Sequence, residues 1–244
     1  MSPDGLGRRR FLGVAALAAV AGCAPTKDGP EPVTDPDLSL PTTDLAGRAR
    51  AFAERTVAPA LYNHSVRTYL YGRFLGRQQG LAPGRDYDDE LLFLGCVLHD
   101  AGLTDDGNGD APFYLDGADL AARFLAGEGL AEDRVAIVWD AIALHVSDVA
   151  ERKRPEIALV NAGAGFDLSA GPATLPPGFA DRVHAAFPRL HTAPALRDAI
   201  VGQGRAKPAK AAPFTLPGEL VRQQTGQSWP TWEQLTRNSG WNDY

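Results

Sequence analysis

The segment Leu91–Asp100, LLFLGCVLHD, constrains this chain more than any other. From Leu91 to Leu98 every residue is apolar or small, which predicts a buried helix. The run then ends on an imidazole and a carboxylate, His99 and Asp100. A buried carboxylate is costly unless it is paired or bound to a metal. Any fold that takes this segment into its core must also supply a partner there.

The rest of the chain reads as helices that can surround such a segment. TDLAGRARAFAERTV has an amphipathic pattern behind Thr43 or Asp44 as N-cap. APALYNHSVRTYLYGRFLGRQQG opens on Pro59 and stops at Gly80. DYDDELLFLGCVLHDAG carries acids at its start, which suits the helix dipole. DGADLAARFLAGEG is a further capped helix, and AEDRVAIVWDAIALHVSDVAE reads as one long helix. RPEIALVNAGAGFDLS reads as an apolar helix broken by glycines. PGFADRVHAAFPRL, APALRDAIVGQGRAKP, PGELVRQQTG and TWEQLTRN complete the series. No alternating strand pattern exceeds a few residues. The expectation is an all-α bundle forming a single domain over residues 44–244. A hydrophobic share of 44% and a charged share of 22% agree with an ordinary globular core. The net charge is −6 and no basic stripe stands out, which weighs against a nucleic-acid partner.

The N-terminus reads differently. RRRFLGVAALAAVAGCAP joins a basic cluster, Arg8 to Arg10, to a short apolar run, Phe11 to Ala21. This is the pattern of a signal peptide over residues 1–22, too short to span a bilayer comfortably. Arg8-Arg9-x-Phe11-Leu12 resembles a twin-arginine export signal, and Val20-Ala21-Gly22-Cys23 resembles a lipoprotein box with Cys23 as the lipidated residue. The expectation is an exported protein whose contact with the membrane is a lipid anchor at Cys23. A Pro-, Asp- and Thr-rich stretch, residues 23–43, reads as a flexible tether. Of the two cysteines only Cys96 then remains, so no internal disulfide can form. In its apolar helix Cys96 reads as a small buried hydrophobe.

Candidate chemistry gathers on four segments: YNHSVRTYLYG with His64, LHDAGLT with His99 and Asp100, AIALHVS with His145, and GAGFDLS with Asp167. One such group on an apolar stretch is ordinarily a satisfied core residue. Several need a shared partner, and converging imidazoles and carboxylates suit a divalent metal. Thr104 reads as a helix-end hydroxyl. His184 and His191 read as surface or outer-layer residues.

An apolar helix ending in Leu98-His99-Asp100, with His64 on an earlier helix and Asp167 downstream, resembles the HD superfamily of metal-dependent hydrolases. The ordered segments YNHSVRTYLYG, LLFLGCVLHDAGLT, DGADLAARFL, VWDAIALHVS and PEIALVNAGAGFDLSA are similar to its cyanamide hydratase-like branch. FPRLHTAPALRDAIVGQGRAKP and PGEL add to this, so the resemblance covers residues 44–240. It implies an HD-type helical bundle in which His64, His99, Asp100 and Asp167 ligate one divalent ion, zinc first, with iron or manganese as alternatives. It also implies a catalytic role for Asp100, and places His145 at the same pocket as a fifth ligand or a catalytic acid/base. Two departures fall where a pocket wall is expected. The branch often has Phe-Glu-Val where this chain has Phe113-Tyr114-Leu115, and Thr-Ser-Pro-Gly where it has Val146-Ser147-Asp148.

The implied activity is addition of metal-activated water to a nitrile, cyanamide or similar small substrate. A first alternative is a metal-dependent phosphohydrolase, for which Arg67 and the trio Arg152, Lys153 and Arg154 are the candidate phosphate partners. A second is a non-catalytic, lipid-anchored binding protein. Oligomeric state is not legible in the sequence. The closing WPTWEQLTRNSGWNDY, with Trp229, Trp232 and Trp241, reads as packing against the domain.

Overall fold

The computed structural model describes residues 38–170 and 175–237. The proposed signal peptide, Cys23 and Trp241 lie outside the described residues. Among the described residues ten α-helices follow one another: α1 (Asp44–Thr56), α2 (Pro59–Gln78), α3 (Asp89–Leu98), α4 (Phe113–Gly127), α5 (Glu132–Leu144), α6 (Pro155–Ser169), α7 (Phe179–Ala186), α8 (Thr192–Ala206), α9 (Leu216–Thr225) and α10 (Trp232–Arg237). No strand occurs among the described residues, only an isolated bridge between Pro83 and Tyr87. The fold is all-α, as the periodicity predicts.

The helix α3 is the centre of the bundle. It packs against α1, α2, α5 and α6, and Leu91 to Leu98 are all buried. That enclosure explains why its sequence is apolar on every face instead of along one stripe. Its start is fixed by Asp88, whose side chain accepts from the backbone N–H groups of Glu90 and Leu91.

The most extensive contact is between α2 and α6. Two glycines make it close. A Cβ on Gly163 would sit 2.2 Å from the carbonyl oxygen of Thr68, and one on Gly72 would sit 2.9 Å from that of Leu159. The glycines of α6 therefore do not break it, contrary to the sequence expectation. Gly163 costs about 1 kcal/mol of helix propensity relative to alanine, and the packing it permits offsets that cost. The close crossing is what sets His64 of α2 beside Asp167 of α6.

Three further expectations are corrected. The long helix over residues 131–151 is two pieces: α5 stops at Leu144, and a 3₁₀ turn, Asp148–Arg152, follows with Ser147 as its N-cap. The residues before α1 are not all tether, because Leu38 and Leu40 pack against the core and Arg73 donates to the Ser39 carbonyl at 3.1 Å. Trp232 does not pack on the domain, being 71% exposed. Trp229 does find partners, the ring of Phe214 and the guanidinium of Arg222.

Candidate metal centre

His99 and His145 are presented by the same device. Each caps the C-terminus of its helix, α3 and α5, with αR backbone. Each turns its Nδ1 back on the carbonyl three residues earlier, Cys96 at 2.7 Å and Ile142 at 2.6 Å. A carbonyl only accepts, so Nδ1 carries the proton and Nε2 is left with its lone pair. His64, in the middle of α2, reaches the same state by another route: its Nδ1 donates to Asp167 Oδ2 at 2.7 Å. Three imidazoles thus have Nδ1 held and Nε2 available.

These groups converge. The ring centroids of His64 and His99 are 5.1 Å apart, and those of His99 and His145 are 4.8 Å apart. Ligand atoms of His64, His99 and Asp100 all lie within 4.8 Å of one another, and all three residues are buried. His64 Nε2 and Asp100 Oδ2 are buried without any hydrogen-bond partner. Asp100 Oδ2 instead faces His99 Nε2 at 3.4 Å. Unpaired buried polar atoms are rare and call for an explanation. A cation supplies one here, because the orphaned atoms are lone-pair donors facing one another. Burial, followed by the neighbouring His64, holds the His99 imidazole down to about 3, and burial raises the Asp100 carboxyl. Neutral imidazole is the form that ligates. The residues present therefore fit a divalent ion.

The structure does not bring Asp167 to this cluster as a fourth ligand. Its Oδ1 accepts from Arg67 Nε at 2.8 Å and from Arg189 Nη1 at 2.9 Å. Its Oδ2 accepts from Arg67 Nη2 and His64 Nδ1, both at 2.7 Å. An ionised carboxylate has about four acceptor sites, and all are taken. Burial pushes the Asp167 pKa up, but the hydrogen bonds from His64 and Arg67 outweigh it and hold the carboxyl well below the usual range. Asp167 thus orients His64 from outside the cluster, as carboxylates commonly do for histidines around protein-bound metals.

The same network decides the role of Arg67. It is fully buried, and besides Asp167 it donates to Thr192 Oγ1 and to the carbonyls of Phe187 and Pro188. No donor is left for a phosphate. Of the basic trio, Lys153 lies 4.0 Å from Asp140 and Arg154 is bonded to Glu156. Thr104 is a helix-end hydroxyl, donating to the Ala101 carbonyl and accepting from the Gly107 N–H. Cys96 is a buried thiol, raised well above its ordinary range by burial. His184 meets the Tyr71 hydroxyl at 3.2 Å, and His191 is exposed.

Sequence reasoning does not find the support beneath the centre. Gln203 of α8 donates to the Gly102 carbonyl, just past the His99–Asp100 pair. Lys207 and Lys210 donate to carbonyls of Asn108 and Gly109 in the following loop, and Lys210 also pairs with Asp116. Lys210 is 1% exposed. A lysine in the polar stretch GRAKPAKAAP carries no local signal of burial.

Two comparisons bear on identity. No protein-family model matches the chain. Over 65 residues, 27% of its length, it is 34% identical to cyanamide hydratase DDI2 of Saccharomyces cerevisiae, and to the same extent to cyanamide hydratase DDI3 of that yeast. The matched stretch spans 28% of each relative. What the chain shares with these proteins is thus a part of its length, set beside a buried cluster of His64, His99 and Asp100 suited to a metal.

Proposed function

We propose that this chain is a metal-dependent hydratase of the HD type, adding water across the carbon–nitrogen triple bond of cyanamide or a related neutral nitrile. The observation that carries this reading is the set of lone-pair atoms on His64, His99 and Asp100, gathered in a buried site with two of them orphaned. The partial similarity to two proteins named cyanamide hydratase supports the choice of reaction. Bound there, a divalent ion supplies Lewis acidity and lowers the pKa of a water. Zinc suits the mixed nitrogen and oxygen donors, with iron and manganese as alternatives.

The chain's own residues do the rest. His64, His99 and Asp100 hold the ion. His145 is the least buried of the three imidazoles, at 7% exposure, and its ring lies 4.8 Å from that of His99. Its Nε2 takes a proton from the attacking water and returns it to the substrate nitrogen. The balance closes: water oxygen bonds to the carbon, one carbon–nitrogen π bond is lost, and the water's protons end on nitrogen as the isourea rearranges to urea. Phosphate ester hydrolysis is served less well, because Arg67 has no donor to offer.

Purified protein is expected to carry about one equivalent of metal per chain, the stoichiometry of a mononuclear site. It is expected to release urea from cyanamide. His99→Ala should bring bound metal to background and cut urea release by more than about a hundredfold, beyond the loss of an outer hydrogen-bond partner. Folded protein that stays metal-free in excess zinc, iron or manganese would sink the reading.

We infer that the protein is exported and lipid-anchored at Cys23, on the strength of the Arg8–Arg10 cluster, the short apolar run after it, and Val20-Ala21-Gly22-Cys23. Metabolic labelling with a fatty acid should mark the full chain and leave Cys23→Ser unmarked. Equal labelling of both would exclude the anchor.

A further inference from the structure

The chain on either side of His145 opens onto a groove of about 560 Å³. Leu144, Val146 and Ser147 line one side of it, Tyr114 and Trp139 another, and Phe214 and Leu216 a third. It lies beside the metal centre, with packed aromatic rings between the two. The Phe113 ring is 5.6 Å from the His145 ring and 5.6 Å from that of Tyr114, which belongs to the groove. His145 and Phe113 therefore stand between the groove and the ligands His99 and Asp100.

Size, charge and strain all bear on the occupant. The volume falls within the range of about 300–1,000 Å³ typical of pockets for organic ligands. Cyanamide, with its three heavy atoms, leaves most of it empty. No lysine or arginine lines the groove, and its one acidic side chain is Asp148, so an anion is disfavoured. Phe214 is the most informative wall. It is 72% exposed and adopts φ of 65°, a left-handed backbone that a bulky L-residue rarely takes. Its ring meets that of Trp229 at 4.9 Å and otherwise lies open along the groove. Backbone strain of this kind gathers at binding sites.

We propose that this groove receives an apolar substituent of aromatic size on a neutral substrate, whose reactive carbon passes His145 to reach the metal centre. The substrate class is then organic nitriles of the form R–C≡N, with R in the groove, hydrated to R–C(=O)NH2. This rests on the hydratase reading above. The replacement of the branch's frequent glutamate by Tyr114, on the groove wall, changes that wall in the same apolar direction.

The test compares phenylacetonitrile with cyanamide on the metal-loaded full chain, following amide formation and measuring binding of phenylacetamide by calorimetry. The expected kcat/KM for phenylacetonitrile exceeds that for cyanamide by tenfold or more, about the factor expected from burying one aromatic ring. Phe214→Asp removes a ring that is largely exposed but contacts Trp229, so its melting temperature is measured beside its ligand binding. It is expected to raise KM for phenylacetonitrile about tenfold and to weaken phenylacetamide binding by a similar factor. Turnover of cyanamide with neither binding nor turnover of the phenyl compounds overturns the proposal and leaves the hydratase reading standing. No hydration of either nitrile, with phenylacetamide bound and that binding lost in Phe214→Asp, keeps the groove assignment and removes the hydratase reading. A Phe214→Asp variant that melts several degrees lower with unchanged phenylacetamide binding shows the ring to serve the fold, and overturns the proposal.

Discussion

Asp167→Ala is expected to cost about 3–5 kcal/mol of stability, the range for breaking a buried ion pair from one side. The reason is Arg67. Its guanidinium is fully buried, and without Asp167 it keeps only the Thr192 hydroxyl and two backbone carbonyls. At this chain length each kcal/mol is about 2–4 °C, so the melting temperature should fall by roughly 6–20 °C. Metal affinity should fall as well, by about 10- to 100-fold, the usual consequence of losing a ligand's outer hydrogen-bond partner. A zinc competition titration separates this from a directly ligating aspartate, whose removal would take away a bond to the ion. Abolished metal binding in a folded Asp167→Ala protein would overturn the outer role. Asp167→Asn keeps an acceptor and should be milder in both respects.

The same carboxylate has a pH consequence. Its folded pKa lies below the unfolded value of about 3.9, so the stabilisation is present above that value and is lost as pH falls through the folded pKa. Acid unfolding of the native chain should therefore steepen below about pH 4, and Asp167→Asn should flatten that limb.

Lys210→Met is the second large effect, again about 3–5 kcal/mol and a melting temperature roughly 6–20 °C lower. Lys210 Nζ has three acceptors: Asp116 Oδ2, Asn108 Oδ1 at 3.0 Å and the Gly109 carbonyl at 3.1 Å. Removing the cation strands the Asp116 carboxylate at 9% exposure. Replacing both partners, Lys210→Met with Asp116→Leu, should recover part of the loss, because no buried charge is then left alone. Hydrogen exchange should quicken in residues 104–112, the loop these contacts hold. A melting temperature within 2 °C of the native chain would refute this account, since that is at most about 1 kcal/mol.

What the sequence discloses follows the range of the interaction. Helix ends are local events, so Asp88, Pro59 and the apolar run of α3 are readable in advance. So are Thr104 and Cys96, whose fates depend on their own turn or helix. The α6 glycines mislead, because Gly163 is spent on a contact with Thr68, far away in sequence. The long α5 misleads in the other direction, since the apolar pattern runs on past the point where His145 folds back on Ile142. Arg67 and Asp167 mislead together. Each is a plausible binder of something else, and only the α2–α6 crossing reveals that they bind one another. Lys210 is unreadable because its acceptors lie about a hundred residues earlier in the chain.

The two capping histidines have one more consequence. Their ring orientation is set within a single turn, by a carbonyl of the same helix, whereas the distance between the rings is set by how α3 and α5 pack. Aim and span are thus governed by separate parts of the structure. Substitutions elsewhere in the bundle can widen or narrow the gap between His99, the proposed ligand, and His145, the proposed acid/base, without turning either ring away. The reach of proton transfer beside the ion can then be tuned by small changes in helix packing while both imidazoles stay correctly pointed.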